Sequence, residues 1–115
     1  MTEISHAKAR AILHEQKYAS NLERDFALIL AGWEADGVIR LFRYEPFRLR
    51  LADGAFYKPD FMAVSTFDNA ITLYEVKGHW REAAKVRIKV AAELHHYFKF
   101  CIVMRSKGVW TYEAL

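Results

Sequence analysis

Asp60, Glu75 and Lys77 are charged residues set in β-rich runs, where a buried strand ordinarily carries none. Residues two apart on a strand project to the same face, so Glu75 and Lys77 share one side and Val76 takes the other. Asp60 joins them in only one register. If the polar stretch 65–70 closes a hairpin by pairing Ser65 with Ala70, Asp60 falls opposite Glu75. A slip of one residue sends it to the other face, unless a bulge restores it. Two carboxylates beside an ammonium can hold a hard divalent cation such as Mg2+ and stabilise negative charge on a substrate. The competing explanation is a structural ion-pair cluster, since buried charges tend to be paired.

The elements that must position these residues are readable from periodicity. Residues 3–16 are rich in Ala, Glu, Lys and Arg without Pro or Gly, which predicts a helix with a thin apolar stripe. It is either an arm that contacts DNA or a second copy, or a solvated surface helix. Ser20-Asn21-Leu22-Glu23 is a capping box, and Leu22, Phe26, Ile29, Leu30 and Trp33 then recur at helical spacing up to a stop at Gly37. Strands are predicted over 38–44, continuing past Pro46 over 47–51, then over 56–64 and 71–77, as a three-stranded antiparallel meander. Arg40, Arg43, Arg48 and Arg50 line a polar face or edge of it, either to hold phosphates or to blunt a sheet edge.

A second helical period runs over 81–98. Ala83, Val86, Val90, Leu94 and Tyr97 share an arc expected to face the sheet, while Arg81, Lys85, Lys89 and His96 form a cationic ridge on the opposite arc. That ridge is either a phosphate-contacting surface or a solvated face, and Arg87 sits at the border of the apolar arc, where either its stem snorkels or its head reaches the site or a partner. A continuously apolar strand over 100–105 and an edge strand over 109–112 close the chain. Helix, three strands, helix, strand, strand is the order expected of a mixed α/β sandwich.

Pro59-Asp60, a variable stretch, then Glu75-Val76-Lys77, with Ser20-Asn21-Leu22-Glu23 upstream and Tyr74 to Gly78 around the second half, resembles the PD-(D/E)XK signature of the restriction-endonuclease-like nuclease superfamily. The chain looks most like small phage-encoded members of unassigned role, and the order Glu23, Asp60, Glu75, Lys77 is similar to that of phage Holliday-junction-resolving endonucleases. The resemblance covers about residues 18–104. It implies an αβββαβ core and a Mg2+-dependent endonuclease acting on DNA, with branched junctions or flaps as one substrate class and Mn2+ as a substitute metal. It implies catalytic roles for Glu23, Asp60, Glu75 and Lys77, with metal ligands from Asp60, Glu75, the Val76 carbonyl and Glu23. Glu23 thus has two readings, helix cap or metal-site residue. Lys77 is expected to act electrostatically, because neighbouring carboxylates oppose its deprotonation. Arg81, Lys85, Lys89, Arg48, Arg50, Lys58 and His79 are the residues expected to contact DNA.

Composition narrows the alternatives. A length of 115 residues fits one domain, 1–115, with 1–17 as a helical arm, and 53% hydrophobic with 15% aromatic residues suits a globular core. A net charge of +3 and a pI near 9.1 suit a polyanionic partner without demanding one. The single Cys101 forms no internal disulfide and reads as a small buried hydrophobe, in keeping with a reducing cytoplasm, that of a bacterial host if the chain is phage-derived. There is no apolar run long enough for a membrane span and no secretory-type N-terminus. His79, His95 and His96 lack the paired cysteines or HExxH spacing of a zinc site. A DNA-resolving enzyme would require a homodimer to cut two strands symmetrically. The other functional classes are a non-catalytic DNA-binding or interaction module with the same fold, a nuclease subunit of a larger assembly, and an RNA nuclease.

Overall fold

A computed structural model describes residues 17–115; the expected helix over 3–16 lies outside the described residues. The first helix among the described residues, α1 (Asn21–Ala35), starts where Ser20 Oγ accepts the Glu23 N–H at 3.1 Å. It stops at Gly37, whose φ of +78° allows the Val38 N–H to reach back to the Trp33 carbonyl at 2.9 Å. Phe26, Ala27, Leu30 and Ala31 recur on one side of it and are fully buried.

Seven strands follow: β1 (Ile39–Tyr44), β2 (Leu49–Ala52), β3 (Ala55–Tyr57), β4 (Phe61–Ser65), β5 (Ile71–Lys77), β6 (Lys99–Ser106) and β7 (Val109–Ala114), with α2 (Glu82–Leu94) between β5 and β6. Five of them form one mixed sheet in the order β1-β4-β5-β6-β7; β5 and β6 are parallel and the other neighbours antiparallel. The antiparallel strand β7 is an edge, entered through a tight turn in which Lys107 and Gly108 both have positive φ, as a two-residue hairpin requires.

Two of the predicted strands divide in two. The runs 38–51 and 56–64 make one long hairpin that breaks at Pro46 and Pro59: β1 pairs β4 in the main sheet, while β2 and β3 pair in a separate two-stranded ribbon. Proline supplies no N–H to a ladder, so a proline in each arm frees the ribbon to leave the sheet plane. With that ribbon set aside, the order of elements is helix, three antiparallel strands, helix, strand, as anticipated.

The sheet is covered on both faces. Against α1 lie Phe61, Ala63, Tyr74, Val76 and Val103, with the half-buried Cys101 packed beside them. On the other face Leu73, Phe100 and Ile102 of the sheet pack with Ile88 and Ala91 of α2 and with Leu49 and Tyr57 of the ribbon. Alternation along β5 therefore sends Tyr74 and Val76 towards α1 and leaves Leu73 and Glu75 on the α2 side.

The second helix turns a different face to the sheet from the one expected. Val86, Leu94 and Tyr97 are 59%, 50% and 68% exposed, whereas Ile88 and Ala91 are fully buried. The helix also ends at Leu94 rather than at residue 98, because the His95 ring is drawn to the Arg50 carbonyl and the Tyr97 hydroxyl, each at 2.8 Å. The helix carries two apolar arcs, and the one with the smaller side chains wins. Ile88 and Ala91, with the half-buried Ala92, pack with Leu49 and Tyr57 of the ribbon and with Leu73, Phe100 and Ile102 of the sheet. Ile88→Ala is accordingly expected to cost about 2–5 kcal/mol of unfolding free energy, and Val86→Ala less than about 0.5 kcal/mol. Urea denaturation of the two variants checks this, and the reverse ranking would restore the face read from periodicity.

Candidate functional site

At the end of β5 nearest α2, the strand outruns its partner. The β4–β5 ladder is in the register that pairs Phe61 with Tyr74, and the Ser65 N–H meets the Ala70 carbonyl at 2.9 Å. This is the register that brings Asp60 beside Glu75. Beyond Phe61 the buried Pro59 takes the chain out of the ladder. Asp60 is nevertheless held on both sides: its N–H donates to the Tyr74 carbonyl at 3.0 Å and its carbonyl accepts from the Glu45 N–H at 2.8 Å. The Val76 N–H, left without a strand partner there, donates to Asp60 Oδ2 at 2.7 Å.

Glu75 is only 7% exposed, and both its oxygens are engaged. Oε1 accepts from the Tyr57 hydroxyl at 2.7 Å, and Oε2 pairs with Lys77 Nζ at 3.0 Å. The phenol, next to the break in the hairpin, thus sets the carboxylate's orientation from the ribbon side. Burial, then the Glu75 charge and hydrogen bond, push the Tyr57 hydroxyl far above its ordinary range, so it stays a donor.

Burial first, and next the charge of Glu75, raise the Asp60 carboxyl well above the usual carboxylate range; the Val76 N–H offsets this only in part. Burial alone would lower Lys77, but the Glu75 charge and hydrogen bond outweigh it and raise the ammonium above its ordinary value. Asp60 therefore ionises only above its raised value, where the site would carry one buried negative charge more than Lys77 neutralises.

Glu23 belongs to the other face. It is 8% exposed, its N–H takes the cap bond from Ser20, and its carboxylate accepts from the Ser20 hydroxyl at 3.4 Å and the Tyr44 hydroxyl at 3.3 Å. Burial raises its carboxyl, against those two hydrogen bonds, and its charge is felt at both Asp60 and Lys77. Among the described residues no three of His, Cys, Asp or Glu stand close enough together to hold a metal ion by themselves. Glu23 thus does not join Asp60 and Glu75 in one group; Tyr44 and Ser20 hold it back. Two carboxylates of hard oxygen, with water and substrate filling other positions, remain the donor set that suits Mg2+.

Around Glu75 opens a cleft of about 380 Å3 lined by Tyr57, Lys58, Lys77, Arg81, Ala83, Ala84 and Arg87. A neighbouring cleft of about 340 Å3 shares Lys77, Arg81 and Ala84 and adds Gly78 and His79. Lys58, Arg81 and His79 are therefore gathered at the site. Lys85 and Lys89 line neither cleft, because the rotation of α2 carries them away. Arg48 stacks over the Phe56 ring at 4.2 Å, and Arg50 is exposed on β2, where its carbonyl receives His95. Arg40 and Arg43 bond to Asn69 and to the Phe42 carbonyl along the β1 edge. Tyr57 and Tyr44 are the site neighbours that spacing does not reveal, each meeting its partner across a long sequence gap, whereas Arg87 takes the second of its two expected placements, with its head at the site.

Comparison with protein-family models, with curated proteins and with solved structures gives no match. Among the described residues the protein is α/β, with a mixed five-stranded sheet, two flanking helices and a cleft lined by Glu75, Lys77 and further cations. No described helix is long and apolar enough to cross a membrane.

A carboxyl raised in the folded state binds its proton more tightly there than in the unfolded chain. Its stabilising contribution is full below the unfolded value, near pH 4, and is lost as pH rises through the folded one. Asp60→Asn, which keeps an acceptor for Val76, is expected to stabilise the metal-free protein at pH 8 by on the order of 1–3 kcal/mol and to have little effect at pH 4. Thermal unfolding in EDTA at both pH values reads this directly, and an equal loss at both would remove the strained carboxyl.

Proposed function

We propose that the chain is a metal-dependent endonuclease of the PD-(D/E)XK type that hydrolyses DNA phosphodiesters. The observation that carries this reading is the placing of Asp60 beside Glu75 and Lys77 at the end of β5, with a cleft that Glu75 and Lys77 line together with Lys58, Arg81 and Arg87. The order of the sheet and helices, ribbon aside, supports it, being the one expected of that superfamily.

The chain's own groups divide the work. Asp60 and Glu75 offer hard oxygens from neighbouring chain segments, to which the resemblance adds the Val76 carbonyl, and the repulsion between the two acids is what a divalent cation would relieve. A bound Mg2+ supplies an activated water and positive charge for the phosphate. Tyr57 keeps Glu75 from swinging away, and Lys77, held protonated by Glu75, faces the charge that develops on the phosphate oxygens. A raised ammonium is a poor base, so proton removal from water is not its task. Glu23 acts at a distance, through the field it adds at Asp60 and Lys77.

Junction and flap DNA are the substrates to try first, on the order of Glu23, Asp60, Glu75 and Lys77, and a homodimer is the assembly such cutting requires. The test is a labelled panel of single-stranded, duplex, flapped and four-way-junction DNA, with an RNA strand, in Mg2+ or Mn2+. Wild type is expected to cut and Glu75→Ala to be inert, while Lys77→Ala slows cleavage about 10²–10³-fold with DNA binding preserved. Cleavage by Glu75→Ala at the wild-type rate would discard the site. DNA binding without cleavage of any substrate by wild type would make the chain a binding module.

A further inference from the structure

The cations of the cleft are not equivalent. Lys58 is paired with Glu45 at 2.9 Å and Lys77 with Glu75 at 3.0 Å, so both already answer a carboxylate. Arg81 and Arg87 do not: among the described residues neither forms an ion pair, and Arg87 meets only the Phe56 carbonyl, through Nη1 at 2.8 Å. A guanidinium has five N–H donors in a planar fork, so most of Arg87 is left to face the cleft. Arg81 is the N-cap of α2 with no side-chain cap bond, and Ala83 and Ala84 of the first helical turn line the same cleft, adding the helix's positive end.

We infer that Arg81 and Arg87 form a phosphate-binding site on the α2 side of the cleft, separate from the carboxylates, which takes a phosphate group of a polynucleotide strand. Two uncompensated forks suit the planar pairs of oxygens of a phosphate, and the cavity is large enough for the group and its sugar. Arg87 also ties α2 to the ribbon one residue before Tyr57, so the phosphate ligand and the group that orients Glu75 share one support. The inference goes beyond the nuclease reading, because a phosphate can be held whether or not it is cleaved.

Fluorescence anisotropy of a short labelled single strand, in EDTA over a salt series, tests it on the full chain. Arg81→Ala and Arg87→Lys are each expected to weaken binding about 5–10-fold at fixed salt; Arg81→Ala removes a charge and reduces the slope of log affinity against log salt by about 0.7, whereas Arg87→Lys keeps its charge and leaves the slope unchanged. The lysine keeps a donor for Phe56 and loses the fork, which separates phosphate binding from loosening of the ribbon, and unfolding midpoints check that both variants fold. Lys99→Ala, an equal charge loss at the opposite end of the parallel strand pair, is expected to change neither quantity. Tighter binding of a 5′-phosphorylated strand than of its 5′-hydroxyl twin assigns a terminal phosphate, and equal binding assigns an internal diester. Wild-type affinity in Arg81→Ala and Arg87→Lys, or an equal drop in Lys99→Ala, overturns the inference. Binding with the expected losses but no cleavage under any metal sinks the nuclease reading alone; cleavage by a chain whose two arginine variants bind normally sinks this inference alone.

Discussion

The hydrogen bond from the Val76 N–H to Asp60 Oδ2, 2.7 Å long, is the contact on which the site depends. The β4–β5 ladder stops at Phe61, and a strand end buried in the middle of a sheet must satisfy its donors some other way. A carboxylate does so here in place of a carbonyl. It closes the ladder and at the same time sets one buried acid next to another. Main-chain bonds to Tyr74 and Glu45 on either side leave Asp60 little freedom to relax away from Glu75.

That arrangement works against stability in isolation. Placing two carboxylates in partly dry surroundings raises Asp60, and the protein offsets the repulsion with Lys77 on one oxygen of Glu75 and Tyr57 on the other. Hydrophobic residues at these positions would make a quieter strand end. These charges stand beside a cleft that Arg81 and Arg87 also line.

Both differences from the periodicity reading come from packing. The predicted face of α2 counts apolar residues, whereas the observed face is the one whose Ile88 and Ala91 fit among Leu49, Tyr57, Leu73, Phe100 and Ile102. The rotation that follows moves Lys85 and Lys89 off the cleft and brings Arg87 onto it. The meander likewise lacks one feature: prolines in both arms of a hairpin at matching positions fold its tip away. That tip then delivers Tyr57 to Glu75 and the Phe56 carbonyl to Arg87.

Local chemistry was legible in the chain alone: the Ser20 cap, the Gly37 stop, the alternation in β5 that puts Glu75 and Lys77 on one side, and the hairpin register that turns Asp60 towards them. These depend on neighbours a few residues apart or on one turn of known length, and periodicity encodes such relations directly. The orientation of Glu23 towards Tyr44, the Tyr57–Glu75 bond and the placing of Arg87 were decided only in three dimensions. Each joins elements whose relative position depends on how side-chain volumes fill the space between layers, a property of the whole packed core and of no single stretch of sequence.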